Sequence, residues 1–216
     1  MEYIPKAALK EWAVVCKALE EGRQSLLLRK GGIMEYRNGF EVKHNIFFLF
    51  PTFEHQSKEF IQSDYAHNLD AVQQNTSLRS KKNKINSYAK VISVKEVSDI
   101  VTIQKLRKYH IWNDQYVNIR MKYNPKKPMS VVLLRVYKMN RPLEIDIKSE
   151  WAGCKSWIPI NLFDDHQHIV MKDCGDIYNN NHDHHYYHPD IIYDHRPALD
   201  DSKFSEIAAE IEKVLK

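Results

Sequence analysis

Val131-Val132-Leu133-Leu134-Arg135-Val136-Tyr137 is the clearest strand in the chain. It is an almost unbroken apolar run rich in β-branched residues, and it follows the loop Asn124–Pro128 with its two prolines. Just downstream, Leu143, Ile145 and Ile147 alternate with Glu144, Asp146 and Lys148. That period of two buries one face of a strand and wets the other. Upstream, Tyr88–Val94 reads as another strand, and Ile46-Phe47-Phe48-Leu49-Phe50, ended by Pro51, as a buried one. Lys6–Lys17 reads as a short helix running into a strand; the apolar runs Trp12–Ala18 and Gln24–Arg29, on either side of the turn Glu20–Arg23, predict a hairpin. Phe53–Leu78 holds no Gly or Pro and spaces Phe60, Ile61, Tyr65, Leu69 and Val72 as a helix would. Arg79–Lys84 reads as a basic linker, and Tyr116–Tyr123 alternates in part. Asp99–Lys108 predicts a short helix capped by Ser98 or Asp99. Ser202–Leu215 predicts an amphipathic helix, capped by Ser202, with Phe204, Ile207, Ala208, Ile211, Val214 and Leu215 on one stripe. Short strands separated by turns, with one helix inserted and another at the end, predict an α+β fold with a small curved sheet or barrel. Regular strand–helix alternation, the mark of a doubly wound fold, is missing.

The chain has 216 residues, 43% of them hydrophobic and 28% charged, enough for a real core. No apolar run approaches the roughly 18 residues of a membrane helix, and Met1–Leu9 has no apolar signal core, so no membrane association and a cytoplasmic setting are expected. Cys16, Cys154 and Cys174 form no CxxC pair, which fits a reducing compartment. Six glycines and no glycine-rich phosphate loop argue against an ordinary nucleotide-binding fold, and no cofactor is expected.

The net charge of +4 conceals a division. Met1–Phe163 carries 27 Lys plus Arg against 16 Asp plus Glu, a balance of +11. Asp164–Asp201 carries nine Asp, one Lys and one Arg, a balance of −7. Three parts follow: a basic body over 1–165, an acidic His- and Asn-rich segment over 166–201, and a C-terminal helix over 202–216 that packs on the body. A basic body favours polyanions, nucleic acid foremost, or else is simply a solvated surface.

Lys81, Lys82, Lys84, Lys105, Arg107 and Lys108 lie in a stretch with few acids, and Trp112 and Tyr116 follow. Cations neutralise phosphates and flat rings stack on exposed bases, with Arg120 and Arg135 as candidates to orient a ligand. The bland alternative makes the rings core and the lysines solvated. Arg29-Lys30-Gly31-Gly32 sets two cations beside glycines that let a phosphate approach the backbone; a hairpin end explains it as well. Lys155-Ser156-Trp157 adds a cation, a hydroxyl and an indole. Pro51–Gln56 joins a strand to a helix, with Thr52 as a possible cap and His55 as an acid–base group. Asp146-Ile147-Lys148 has the D-x-K form of metal-dependent nucleases, with Asp114 or Glu144 as the distant acid, but this pattern is common on wetted strands. His182, His184, His185 and His188 have spacing for adventitious metal binding. Three readings result: a nucleic-acid-binding module, a nuclease using Asp146 and Lys148, or a protein-interaction component that uses its last helix. Oligomeric state is not legible.

Several stretches carry a resemblance: Lys10-Glu11-Trp12-Ala13-Val14-Val15, Leu26-Leu27-Leu28-Arg29-Lys30-Gly31-Gly32-Ile33, Phe48–Gln56, Leu134–Tyr137 and Trp151-Ala152-Gly153-Cys154-Lys155-Ser156-Trp157. In this order they resemble the bacterial family of domain of unknown function 1802 (DUF1802), over residues 8 to 165. The resemblance supplies no activity. The occurrence of some relatives beside restriction-endonuclease domains implies a setting of DNA defence or modification. The order of Tyr88–Val94, Asp99–Lys108, His110-Ile111-Trp112 and Val131–Tyr137 is also similar to PUA-like barrels of the ASCH and EVE branches. That similarity implies a curved barrel with a cleft for RNA or a modified DNA base.

Overall fold

The computed structural model describes residues 5–31, 39–74, 81–161 and 194–216. The elements in chain order are β1 (Ala7–Trp12), α1 (Ala13–Glu20), β2 (Leu26–Arg29), β3 (Ile46–Thr52), α2 (His67–Gln74), β4 (Lys82–Val97), α3 (Ile100–Lys105), α4 (Asp114–Lys122), β5 (Met129–Asp146), β6 (Trp157–Pro159), β7 (His195–Pro197) and α5 (Asp201–Val214). One open sheet runs β2-β5-β4-β3-β1-β6, and β7 also pairs with β5. Only the β1–β3 pairing is parallel among the described strands. The fold is α+β, with one curved open sheet among the described strands.

β4 and β5 form the spine. Their long antiparallel ladder shifts register between Ile85 and Ser87 and again between Val91 and Ser93. Extra residues of this kind bend a strand and increase its twist, which is how one ladder becomes a curved sheet. The two strands expected at Val131–Tyr137 and Leu143–Lys148 are therefore a single β5, interrupted around Pro142. The expected linker Arg79–Lys84 is, from Lys82 on, the start of β4. The sheet is buried on both faces. Leu9, Phe47, Leu49, Ala89 and Leu134 join the core under the helices. Ala8, Phe48, Phe50, Tyr88 and Ile145 join a second core with Trp151 and Ile158. Burial on both sides is why Phe47–Phe50 shows no alternation.

Four further sequence expectations fail for tertiary reasons. Residues Ala13–Glu20 form helix α1 after strand β1, the reverse of the expected order. An apolar run buried all round does not reveal its period. The helix start is satisfied from outside: the Trp12 amide donates to Glu11 Oε1 at 3.0 Å, and the Val14 amide donates to Gln56 Oε1 at 3.0 Å. The expected hairpin is absent because β2 pairs with β5. Phe53–Leu78 is not one helix; among its described residues only His67–Gln74 is α-helical. Ile61 bridges Trp112, and the Gln62 side chain donates to the carbonyls of Arg107, His110 and Trp112. These cross-chain bonds hold residues 61–62 extended. Finally, Tyr116–Tyr123 lies mainly in helix α4, capped by Asn113.

Asp99 caps α3, as expected. α5 packs Phe204, Ile207, Ala208, Ile211, Val214 and Leu215 on the core, the stripe read from sequence. Its cap is Asp200 and not Ser202: Asp200 Oδ1 accepts from the Lys203 amide at 2.8 Å. α1 ends at Gly22, whose φ of +68° suits glycine, and a side chain there would strike Leu199 just before α5. Cys16 is buried, and burial pushes its thiol pKa up. No helix among the described residues is long and apolar enough to cross a membrane.

Candidate nucleic-acid interface

Residues distant in sequence meet at one end of the sheet. β1 ends at Glu11 and Trp12, β2 ends at Arg29, and Ser156 and Trp157 open β6. Arg29 Nη1 donates to Glu11 Oε2 at 2.8 Å, and Nη2 donates to Ser156 Oγ at 2.8 Å. The guanidinium also sits 4.9 Å from the centre of the Phe40 ring. Phe40 in turn stacks on Trp157, with ring centres 6.2 Å apart and planes 17° from parallel. Trp157 is half-buried; Phe47 meets it edge-on, and its Nε1 donates to the Glu41 carbonyl at 3.0 Å. The result is an oriented cation beside a pair of parallel rings.

Behind this lies an aromatic wall from β1 and α4. Trp112 stacks on Tyr116 at 3.8 Å and 10°, and Trp12 meets Trp112 edge-on at 5.1 Å. Phe60 closes the group against Tyr116 and Trp12. Burial pushes the Tyr116 phenol up to about 12, with Glu11 adding and Arg120 and Arg29 opposing. The chain after Arg29 then reaches α4: Lys30 Nζ donates to the Met121 carbonyl at 2.6 Å, and Arg120 Nη2 donates to the Gly31 carbonyl at 3.0 Å.

The expected site residues divide accordingly. Arg29, Lys30, Trp112, Tyr116, Arg120, Ser156 and Trp157 converge here. Trp112, however, is only 3% exposed and offers no free face, so it is wall and not a stacking platform. The remaining cations lie elsewhere. Lys82 and Lys84 stand opposite Asp146 and Glu144 in the β4–β5 ladder, with Lys81 just before them. Lys105 is exposed at the end of α3. Arg107 pairs with Asp114 at 2.9 Å, and Lys108 with Glu210 of α5 at 2.8 Å. Arg135 is buried; it donates to Asp201 at 2.6 Å and lies 4.5 Å from the Phe204 ring centre. These contacts tie it to the start of α5. Lys155 Nζ donates to the Glu150 carbonyl at 2.8 Å.

The D-x-K pair is divided between two environments. Asp146 faces Lys82, and Lys148 lies 5.8 Å from the Trp151 ring centre. Asp114 is bound to Arg107, away from both. Among the described residues, no group of three or more His, Cys, Asp or Glu could hold a metal ion. His182, His184, His185 and His188 lie outside the described residues. Thr52 is not a cap, since its hydroxyl donates to the Glu11 carbonyl at 3.0 Å. His55 is exposed at a φ of +62°, and its neighbour Gln56 serves α1 instead.

Sequence reasoning missed Glu11, Trp12 and Phe40 as site members. Glu11 carried a signal: it is a lone acid at the end of the apolar strand Ala7–Trp12, and such a group is tolerated near the core only with a partner.

The chain belongs to the family described as domain of unknown function DUF1802, whose model matches residues 8–173. No curated protein matches it. Among solved structures it is similar to the ASCH protein of Zymomonas mobilis and to two point variants of that protein. One variant is 11% identical, with 74% of this chain and 92% of that chain covered and a TM-score of 0.44. The other is 10% identical, with the same shares covered and a TM-score of 0.42. The parent protein is 10% identical, with 72% and 87% covered and a TM-score of 0.40.

Proposed function

We propose that this chain is a nucleic-acid-binding module that holds an unpaired nucleic-acid strand where β2, at one edge of the curved sheet, approaches β1 and β6 at the other. One observation carries the reading: the Arg29 guanidinium, fixed by Glu11 and Ser156, lies against the Phe40 ring that stacks on Trp157. A guanidinium held in this way is a preorganised fork for phosphate or a base edge. Half-buried rings beside it suit unstacked bases, which present flat faces whatever their sequence. Lys30 and Arg120 extend the positive charge, and Glu11 is the carboxylate bound to Arg29.

The test is titration of single-stranded DNA and RNA oligonucleotides, followed by tryptophan fluorescence at several salt concentrations. Affinity is expected to fall steeply with salt, as phosphate contacts require. Arg29→Met is expected to weaken binding about 10- to 100-fold, the range of a charge-assisted hydrogen bond of ~1.5–3 kcal/mol. Circular dichroism serves as the folding control. Salt-independent affinity, or an Arg29→Met variant that binds as the parent does, overturns the reading.

A further inference from the structure

Lys30 is 2% exposed, yet no carboxylate pairs with it among the described residues. Its ammonium has three donors, and one of them reaches the Met121 carbonyl. The next cation is Arg120, whose presence, after burial itself, lowers the Lys30 pKa. Among the described residues Arg120 is likewise without a carboxylate: Nη2 reaches the Gly31 carbonyl, the guanidinium lies 5.1 Å from the Tyr123 ring centre, and the buried Nε has no acceptor. Two adjacent cations, both short of acceptors and one fully enclosed, are costly to bury. The carbonyl end of α4 offsets part of that cost, since cations are favoured at a helix C-terminus. Carbonyls do not neutralise two charges, however, and they leave the Arg120 Nε–H unmet.

We infer that Lys30 and Arg120 form a seat for a single phosphate dianion, so that the chain prefers nucleotides or strand ends bearing a terminal phosphomonoester. This rests on the nucleic-acid reading and deepens it: Arg29 and the rings hold the strand, and the buried pair holds its end. The dianion is chosen by charge. Two unneutralised cations match two negative charges, whereas an internal phosphodiester brings only one. A terminal phosphate also offers three acceptor oxygens, enough for the spare ammonium donors and the Arg120 Nε–H. Gly31, whose carbonyl accepts from Arg120, follows Lys30 at a φ of +77°, a conformation that favours glycine.

The experiment compares one oligonucleotide with 5′-phosphate, 3′-phosphate and hydroxyl ends, plus the matching mononucleotide. The proteins are the full chain and its Lys30→Met and Arg120→Gln variants. One phosphorylated end is expected to bind about tenfold tighter than the hydroxyl form, the effect of one added charge-assisted contact. The preference should fade below about pH 6, where the monoester loses its second charge. Lys30→Met should abolish the preference, so that phosphorylated and hydroxyl ends bind alike. Equal affinity for all ends overturns the inference while the nucleic-acid reading stands.

If no oligonucleotide binds, that reading fails, and inorganic phosphate decides the seat alone. Phosphate should then raise the melting temperature of the parent above that in chloride of matched ionic strength. The rise should be absent in Lys30→Met, and no rise in the parent overturns the seat. Folding of the variants is monitored by circular dichroism. Lys30→Met is expected to melt higher than the parent without phosphate, because it removes a buried charge that has no counterion. A lower melting point would mean that Lys30 is needed for the fold, and would also overturn the inference.

Discussion

Lys82, Lys84, Lys105, Arg107 and Lys108 stand on the surface along β4, α3 and the turn that follows, while Arg29, Lys30 and Arg120 are drawn in at the end of the sheet. The first group is the denser in sequence and the weaker in space. Antiparallel register sets Lys82 and Lys84 against Asp146 and Glu144, and folding brings Asp114 to Arg107 and Glu210 to Lys108. The second group holds fewer charges, but each is fixed by a named acceptor and partly withdrawn from water, where screening is weak. Charge counted along a chain is thus a poor guide to field at a surface. What matters is which acids the tertiary structure delivers to the same place.

The comparison can be broken most forcefully at Glu11, which is 7% exposed. Glu11→Ala leaves Arg29 without its counterion and is expected to cost about 4 kcal/mol of stability, measured by denaturant titration. A loss below about 1 kcal/mol would mean that the pair behaves like a surface bridge.

A second test separates α5 from the binding end. Ile211 is fully buried, and Ile211→Ala is expected to cost about 3 kcal/mol while nucleic-acid affinity at a temperature where the variant is folded stays the same. Altered affinity would implicate Arg135 and Lys108, the cations that α5 engages, in binding.

The third prediction concerns pH. His110 lies beside the basic stretch, 4% exposed, and neither ring nitrogen has a partner among the described residues. Burial first, then Arg107, lowers its pKa to about 4 from the usual 6.5. As pH falls through 6.5 the unfolded chain takes up the proton and the folded one does not. Stability contributed by the neutral ring is therefore full above 6.5 and drains away down to about 4, amounting to about 3 kcal/mol. His110→Phe should flatten that part of the stability profile, and an unchanged slope would show that other groups set it.

The smallest effect is expected on the surface. Lys82→Gln combined with Lys84→Gln should change affinity less than about twofold and leave the salt dependence near that of the parent, as for cations matched across a ladder. A tenfold loss would return the interface to β4.

Strands at Ile46–Phe50, Tyr88–Val94 and Val131–Tyr137 and the apolar stripe of α5 were legible in local composition and period, and Asp99 was one of two caps offered for α3, because these features are written in consecutive residues. The same holds for the presence of cations and rings in the motifs around Arg29, Tyr116 and Ser156. Tertiary structure alone decided that Trp12–Ala18 turns into a helix, since the groups that cap it include Gln56, and that residues 61–62 pair with the chain at 110–112 instead of coiling. It alone decided which cations meet Glu11 and which meet Asp146, Asp114 and Glu210. The reason is physical: periodicity reports which side of an element faces the core, whereas the neighbour of a charge is set by contacts between residues far apart in the chain, and no single stretch records them.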